Sequence, residues 1–181
     1  MMRIWKRTVV LLLLGLLAGC SSQSSGIPTL GRVVGCDSIT RSAGTEGLVF
    51  PCLDGKSSLY FSAVRGPLIV NVWGSWCAPC KDEVPMIRSF YSKAKSQLQV
   101  LGVDVEEAKP TDGSDFIVQN GMTWPNVKDP DGRSRGFFGM GVPVTWFIDK
   151  NGKVVHKKIG VMTSEGELRD LTLKYLNIAV G

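Results

Sequence analysis

The chain has 181 residues, enough for one ordinary domain and short of two. Its composition, 44% hydrophobic and 20% charged, excludes a disordered or collagen-like chain. The net charge of +5 looks basic, but Arg3, Lys6 and Arg7 fall in the first seven residues; without them 18 basic residues face 16 acidic ones, and nucleic-acid binding loses its support.

Residues 1–7 are cationic, and residues 8–17 form a nearly pure aliphatic run. That run is about half of the roughly 20 residues a bilayer-spanning helix needs, so it reads as a secretory signal. Leu17-Ala18-Gly19-Cys20 resembles a bacterial lipobox, which implies a diacylglyceryl group on Cys20 and cleavage just before it. An ordinary signal peptide with an incidental cysteine is the alternative. Residues 21–26 suit a flexible tether. The expected organisation is a leader over 1–19, a tether and irregular segment over 20–47, and one α/β domain over 48–181.

Residues 48–53 and 56–61 are short apolar stretches around Asp54-Gly55, a hairpin signal. Residues 68–73 (L-I-V-N-V-W) read as a central strand buried on both faces. A helix is predicted over 77–95, with Val84, Ile87, Tyr91 and Ala94 on one face and Pro85 kinking it. A second buried strand follows over 98–105 and a short helix over 112–120, ended by Gly121. Asp129-Pro130-Asp131-Gly132 reads as a turn before a short helical stretch through Phe138. Strands over 144–149 and 153–161 flank Asn151-Gly152, and Ser164 and Glu167 form a capping box for a last helix bearing Leu168, Leu171 and Tyr175. The order is hairpin, β, α, β, α, β, β, α. It implies a mixed sheet flanked by helices, with right-handed crossovers and an added N-terminal hairpin.

Export permits disulfides. Besides Cys20, the chain has Cys36, Cys52, Cys77 and Cys80, which allow three pairings. The close pair at 77 and 80 is one candidate and leaves Cys36 with Cys52, closing a loop worth about 3 kcal/mol. Zinc is the rival, but the only histidine is His156, and one Cys-x-x-Cys with two distant partners is poor ligand spacing. His156, beside two lysines, is expected to face solvent. No metal or other cofactor is expected.

Trp76-Cys77-Ala78-Pro79-Cys80 follows the central strand and opens a helix. The helix N-terminus offers free amides and a positive dipole end, which stabilise a thiolate at Cys77. Cys80, one turn on, can resolve a mixed disulfide at Cys77. A bridge that merely staples the helix start is the bland alternative.

The run L-I-V-N-V-W-G-S-W-C-A-P-C-K-D-E-V-P resembles the active-site region of the TlpA/ResA-like thiol-disulfide oxidoreductases, which are membrane-tethered and have the thioredoxin fold. Pro85, the stretch 124–133 and G-V-P-V-T-W-F-I-D over 141–149 extend the resemblance to most of the chain past residue 48. It implies that Pro143 is cis and faces the dithiol, with the Val142 backbone free to pair with an extended substrate. Trp76 is expected to shield Cys77, with a place in the core as the alternative. Asn71 stands where cytoplasmic thioredoxins carry a buried aspartate. Ala78 and Val144 occupy positions where cytochrome c maturation reductases often carry a glutamate, so Glu106 and Glu107 become candidates for proton handling at Cys80, with a place in a solvated loop as the alternative.

The resemblance implies a monomeric, lipid-anchored extracytoplasmic oxidoreductase acting on protein thiols and disulfides, with no nucleic-acid partner. Reduction is the favoured direction, for example of apocytochrome c, with electrons from a CcdA-type membrane donor. The alternatives are a disulfide-forming oxidase with a disulfide-generating membrane partner, or a non-catalytic binding module of the same fold.

Overall fold

The computed structural model describes residues 30–181. The leader over 1–19, Cys20 and the tether over 21–26 lie outside the described residues. Two short strands, β1 (Val49–Pro51) and β2 (Ser58–Tyr60), pair antiparallel, and the Lys56 amide bonds the Asp54 side chain inside the turn that joins them. Then follow β3 (Leu68–Trp73), α1 (Ala78–Ala94), β4 (Gln99–Val105), α2 (Asp112–Gln119), β5 (Asn126–Asp129), α3 (Arg135–Phe138), β6 (Val144–Ile148), β7 (Val154–Ile159) and α4 (Glu165–Leu176).

The main sheet has the order β5-β4-β3-β6-β7; β3, β4 and β5 run parallel, and β6 and β7 are antiparallel to their neighbours. This is the mixed thioredoxin-like sheet. The strand β5 is absent from the order expected from the sequence, where the turn signal begins only at its last residue, Asp129. Its residues Asn126 and Asp129 are buried but polar, so no apolar run marks it. The Asn126 amide instead donates to the Trp124 carbonyl and accepts from the Trp73 indole at 3.1 Å, replacing lost water.

Strand alternation divides the core. Leu68, Val70 and Val72 face the hairpin, Phe138 of α3 and the segment carrying Cys36 and Ile39; Ile69 and Trp73 face residues of α1, α2 and α4. One sheet face is therefore covered by helices and the other largely by the hairpin and N-terminal segment. Each fully buried large side chain contributes about 1.5–3 kcal/mol. Cys36 and Cys52, both buried, are joined by a disulfide that ties the segment to the hairpin.

The helix α1 continues through Pro85 to Ala94, although Pro85 offers no donor to the preceding turn. Its buried side includes Glu83 and Phe90 besides Val84, Ile87 and Ala94, and Tyr91 is half-buried. At α4, the Ser164 hydroxyl accepts the Glu167 amide, while the Glu167 carboxylate bonds Thr163 and Lys158 rather than completing the box on Ser164. His156 does not face solvent as expected. It stacks on Tyr175 with ring centroids 4.1 Å apart, and partial burial, then Lys174 and Lys158, hold its pKa below the usual histidine value.

Candidate active site

In the sheet, Val72 near the end of β3 sits opposite Val144 at the start of β6. The loop after β3 and the loop before β6 are therefore neighbours. The first carries Ser75, Trp76 and Cys77, and the second carries Val142 and Pro143, joined by a cis peptide bond. Cys77 is the N-cap of α1, with Ala78 and Pro79 exposed in the first turn; proline there sacrifices no helical hydrogen bond. Cys77 and Cys80 are disulfide-bonded, and the Cys77 sulfur accepts the Cys80 amide at 3.2 Å. Both cysteines are nearly buried, in the cluster against which Val142 packs.

Trp76 is 55% exposed and so is a rim residue rather than a core one. Its indole donates to the Val105 carbonyl at 3.1 Å and lies against Gly74, where a Cβ would sit 2.6 Å from the indole nitrogen. A cleft of about 100 Å³ runs alongside, lined by Trp76, Val105, Arg135, Met140 and Val142 among others. Its far wall is anchored by Phe138, whose ring lies 4.8 Å from Trp146 and 5.0 Å from Phe61. Met140 projects from that wall into solvent, and the part-exposed Phe137 ring packs edge-on against Phe61.

Neither acid offered as a candidate for proton handling is free at the dithiol. Glu106 pairs with Arg135, and Glu107 accepts from the Ser75 amide and hydroxyl, so both are engaged at the rim. The sequence reading missed Glu83. It lies three residues past Cys80 and is buried, accepting from the Met162 amide and from Asn71. Burial raises its pKa above the ordinary carboxylate value, only partly offset by the Met162 and Asn71 hydrogen bonds. A sequence signal existed: an acid on the apolar stripe of Cys80, Val84 and Ile87. Among the described residues, no His, Cys, Asp and Glu cluster could hold a metal ion, and no helix is long and apolar enough to cross a membrane.

The model of the AhpC/TSA family matches residues 49–157, which span the hairpin, the dithiol and Pro143. The chain belongs to that family. Within it, the chain is similar to ResA, a thiol-disulfide oxidoreductase, of Bacillus subtilis, at 31% identity over 80% of this chain and 78% of the relative. It is also similar to ResA of Bacillus thuringiensis, at 34% identity over 58% of this chain. The match spans 63% of that relative's length, as it does for the other ResA proteins first matched. The crystal structure of StoA from Bacillus subtilis superposes with a TM-score of 0.58 at 26% identity, covering 72% of this chain and 99% of that one. The chain is thus a ResA-like member of the family with a thioredoxin-like fold.

Proposed function

We propose that this protein is an extracytoplasmic thiol-disulfide oxidoreductase whose Cys77/Cys80 pair exchanges with cysteines of partner proteins. The observation that carries the reading is the bonded pair at the N-terminus of α1, beside an open cleft. In the reducing direction, the Cys77 thiolate attacks a substrate disulfide and releases one substrate thiol. Cys80 then loses its proton and attacks the Cys77 sulfur, releasing the second thiol and leaving the bonded form. Trp76 and Val142 flank the entering substrate, and Pro143 offers no amide donor to compete for the thiolate. Glu83 is the group that accepts the Cys80 proton, because it lies one helical turn away and its raised pKa suits that exchange.

Reduction is the proposed direction, with apocytochrome c as a substrate and a CcdA-type membrane carrier as donor. The helix dipole stabilises the thiolate and pushes toward an oxidant. Glu83 opposes that push: a carboxylate behind the dithiol disfavours a second negative charge on sulfur. Cys20 is proposed to carry the lipid that holds the domain at the membrane, and Cys36–Cys52 to be structural. Equilibration of the protein against glutathione tests the direction. A reductant stays largely oxidised at a glutathione ratio that reduces strong periplasmic oxidants; a potential near those oxidants would reverse the assignment, with about 30 mV for each 1.4 kcal/mol.

A further inference from the structure

Val105, the last residue of β4, and the two residues that follow it grip the rim of the cleft. The Val105 carbonyl holds the Trp76 indole, Glu106 holds Arg135 on the opposite wall, and Glu107 holds both the amide and the hydroxyl of Ser75. The chain achieves this split by placing Glu106 at φ 56°, a left-handed conformation that non-glycine residues adopt rarely. Behind Glu107 lies Asp104, only 3% exposed, packed against the first turn of α2. Gly113 permits that packing, since a Cβ there would collide with the Asp104 carboxyl. One Asp104 oxygen has no hydrogen-bond partner.

A buried carboxyl placed on a helix turn beside a second carboxylate is expensive to keep, and the dithiol chemistry proposed above does not use it. We infer that Glu107, backed by Asp104, is a positioning residue that fixes the Ser75-Trp76 loop and so sets the presentation of Cys77 to a substrate disulfide. The inference rests on the proposed exchange at Cys77. Burial first, and then the neighbouring Glu107 carboxylate, push the Asp104 pKa up to about 9. Asp104 therefore remains a hydrogen-bond donor to Glu107 at neutral pH, and Glu107 keeps both its oxygens for Ser75. The other charged groups around the pair are Asp112 from α2, Lys128 from β5, and Glu106 and Lys109 from its own loop. Loss of the shared proton at high pH puts two anions together and loosens the grip on Ser75.

The test uses the full chain with insulin as the disulfide substrate, and carboxyl carbon NMR on the oxidised protein, where neither active-site thiol titrates. Glu107→Ala is expected to lower kcat/KM about tenfold, through loss of alignment at the reacting sulfur. Ser75→Ala, which removes one hydroxyl without emptying a core site, is expected to lower it less. Asp104→Asn, still a donor to Glu107, is expected to stay nearer wild type than Asp104→Ala. In the NMR titration, the Asp104 carbon should move near pH 9 in the wild type and at lower pH in Glu107→Ala. Wild-type kcat/KM in both Glu107→Ala and Ser75→Ala, or an Asp104 carbon titrating in the ordinary carboxylate range, would overturn the inference. Cys77→Ser separates the two claims: retained exchange there removes the dithiol reading itself, while the Asp104 titration still reports on the pair.

Discussion

The side-chain amide of Asn71 lies 3.5 Å from the carboxylate of Glu83, so the middle of the central strand supplies a donor to an acid buried one turn behind Cys80. That pairing explains why a neutral amide at position 71 is compatible with a buried glutamate. Asparagine can donate to Glu83 when it is ionised, whereas an ionised aspartate could only repel it.

Replacing Glu83 with Gln removes the titrating group but keeps an acceptor for the Met162 amide. Thiol-disulfide exchange near neutral pH is expected to slow by about a hundredfold, and its pH dependence to flatten. Stopped-flow kinetics of insulin reduction across pH 5–9 check this. Asn71→Asp is expected to destabilise the protein more at pH 8 than at pH 5, because two adjacent buried carboxyls cannot both ionise.

Asp104 gives stability a pH slope of definite sign. Its folded pKa of about 9 lies far above the ordinary aspartate value of 3.8, so between these limits the folded state binds more protons than the unfolded one. Stability conferred by this group is complete below pH 4 and is lost as pH rises toward 9, at up to about 1.4 kcal/mol per pH unit. Asp104→Asn should remove that slope in urea denaturation at pH 5, 7 and 8.5, and an unchanged slope would contradict the assignment.

The polar cluster at the start of α3 supports the cleft wall. Asp129 is fully buried and accepts from the Ser134 amide at 2.8 Å, the Ser134 hydroxyl and the Arg133 amide. Asp129→Ala leaves those donors unpaired, which is expected to cost about 2–4 kcal/mol in unfolding free energy. Because the cluster leads into the wall carrying Arg135 and Phe138, the Michaelis constant for a protein substrate should rise as well.

Much of the fold was legible because periodicity and turn chemistry agree in β3, β4, α1 and the two hairpins. The dithiol could be read because a Cys-x-x-Cys between a buried strand and a helix has few other uses. What stayed hidden was polar burial. The strand β5 has Asn126 and Asp129 where an apolar pattern would be sought, and, apart from the apolar stripe beside Glu83, nothing local to Glu83 or Asp104 marks either acid as buried. Their burial depends on partners distant in sequence, such as Trp73 for Asn126 and Met162 for Glu83, which only the fold brings near.

The disulfide between Cys36 and Cys52 has a sequence separation of 16, and both cysteines are fully buried. Replacing both with Ser should lower stability by about 3 kcal/mol in denaturant titrations, while insulin reduction by Cys77 and Cys80 persists. Mass mapping of the native protein after selective reduction of the Cys77–Cys80 pair should still find Cys36 bonded to Cys52.

Cys20 is read as the site of lipid attachment, and the matching test is cellular. Cys20→Ser should shift the protein from the membrane fraction to the soluble one, and unchanged fractionation would remove the anchor.

In the proposed exchange, Cys77 attacks and Cys80 resolves. Replacing Cys80 with Ser, then separating cell extracts under non-reducing conditions, tests it most directly. Covalent adducts held through the Cys77 sulfur are expected, released by dithiothreitol and missing when Cys77 is also replaced. Adducts that persist without Cys77, or none at all from a folded Cys80→Ser protein that meets accessible protein disulfides, would contradict it.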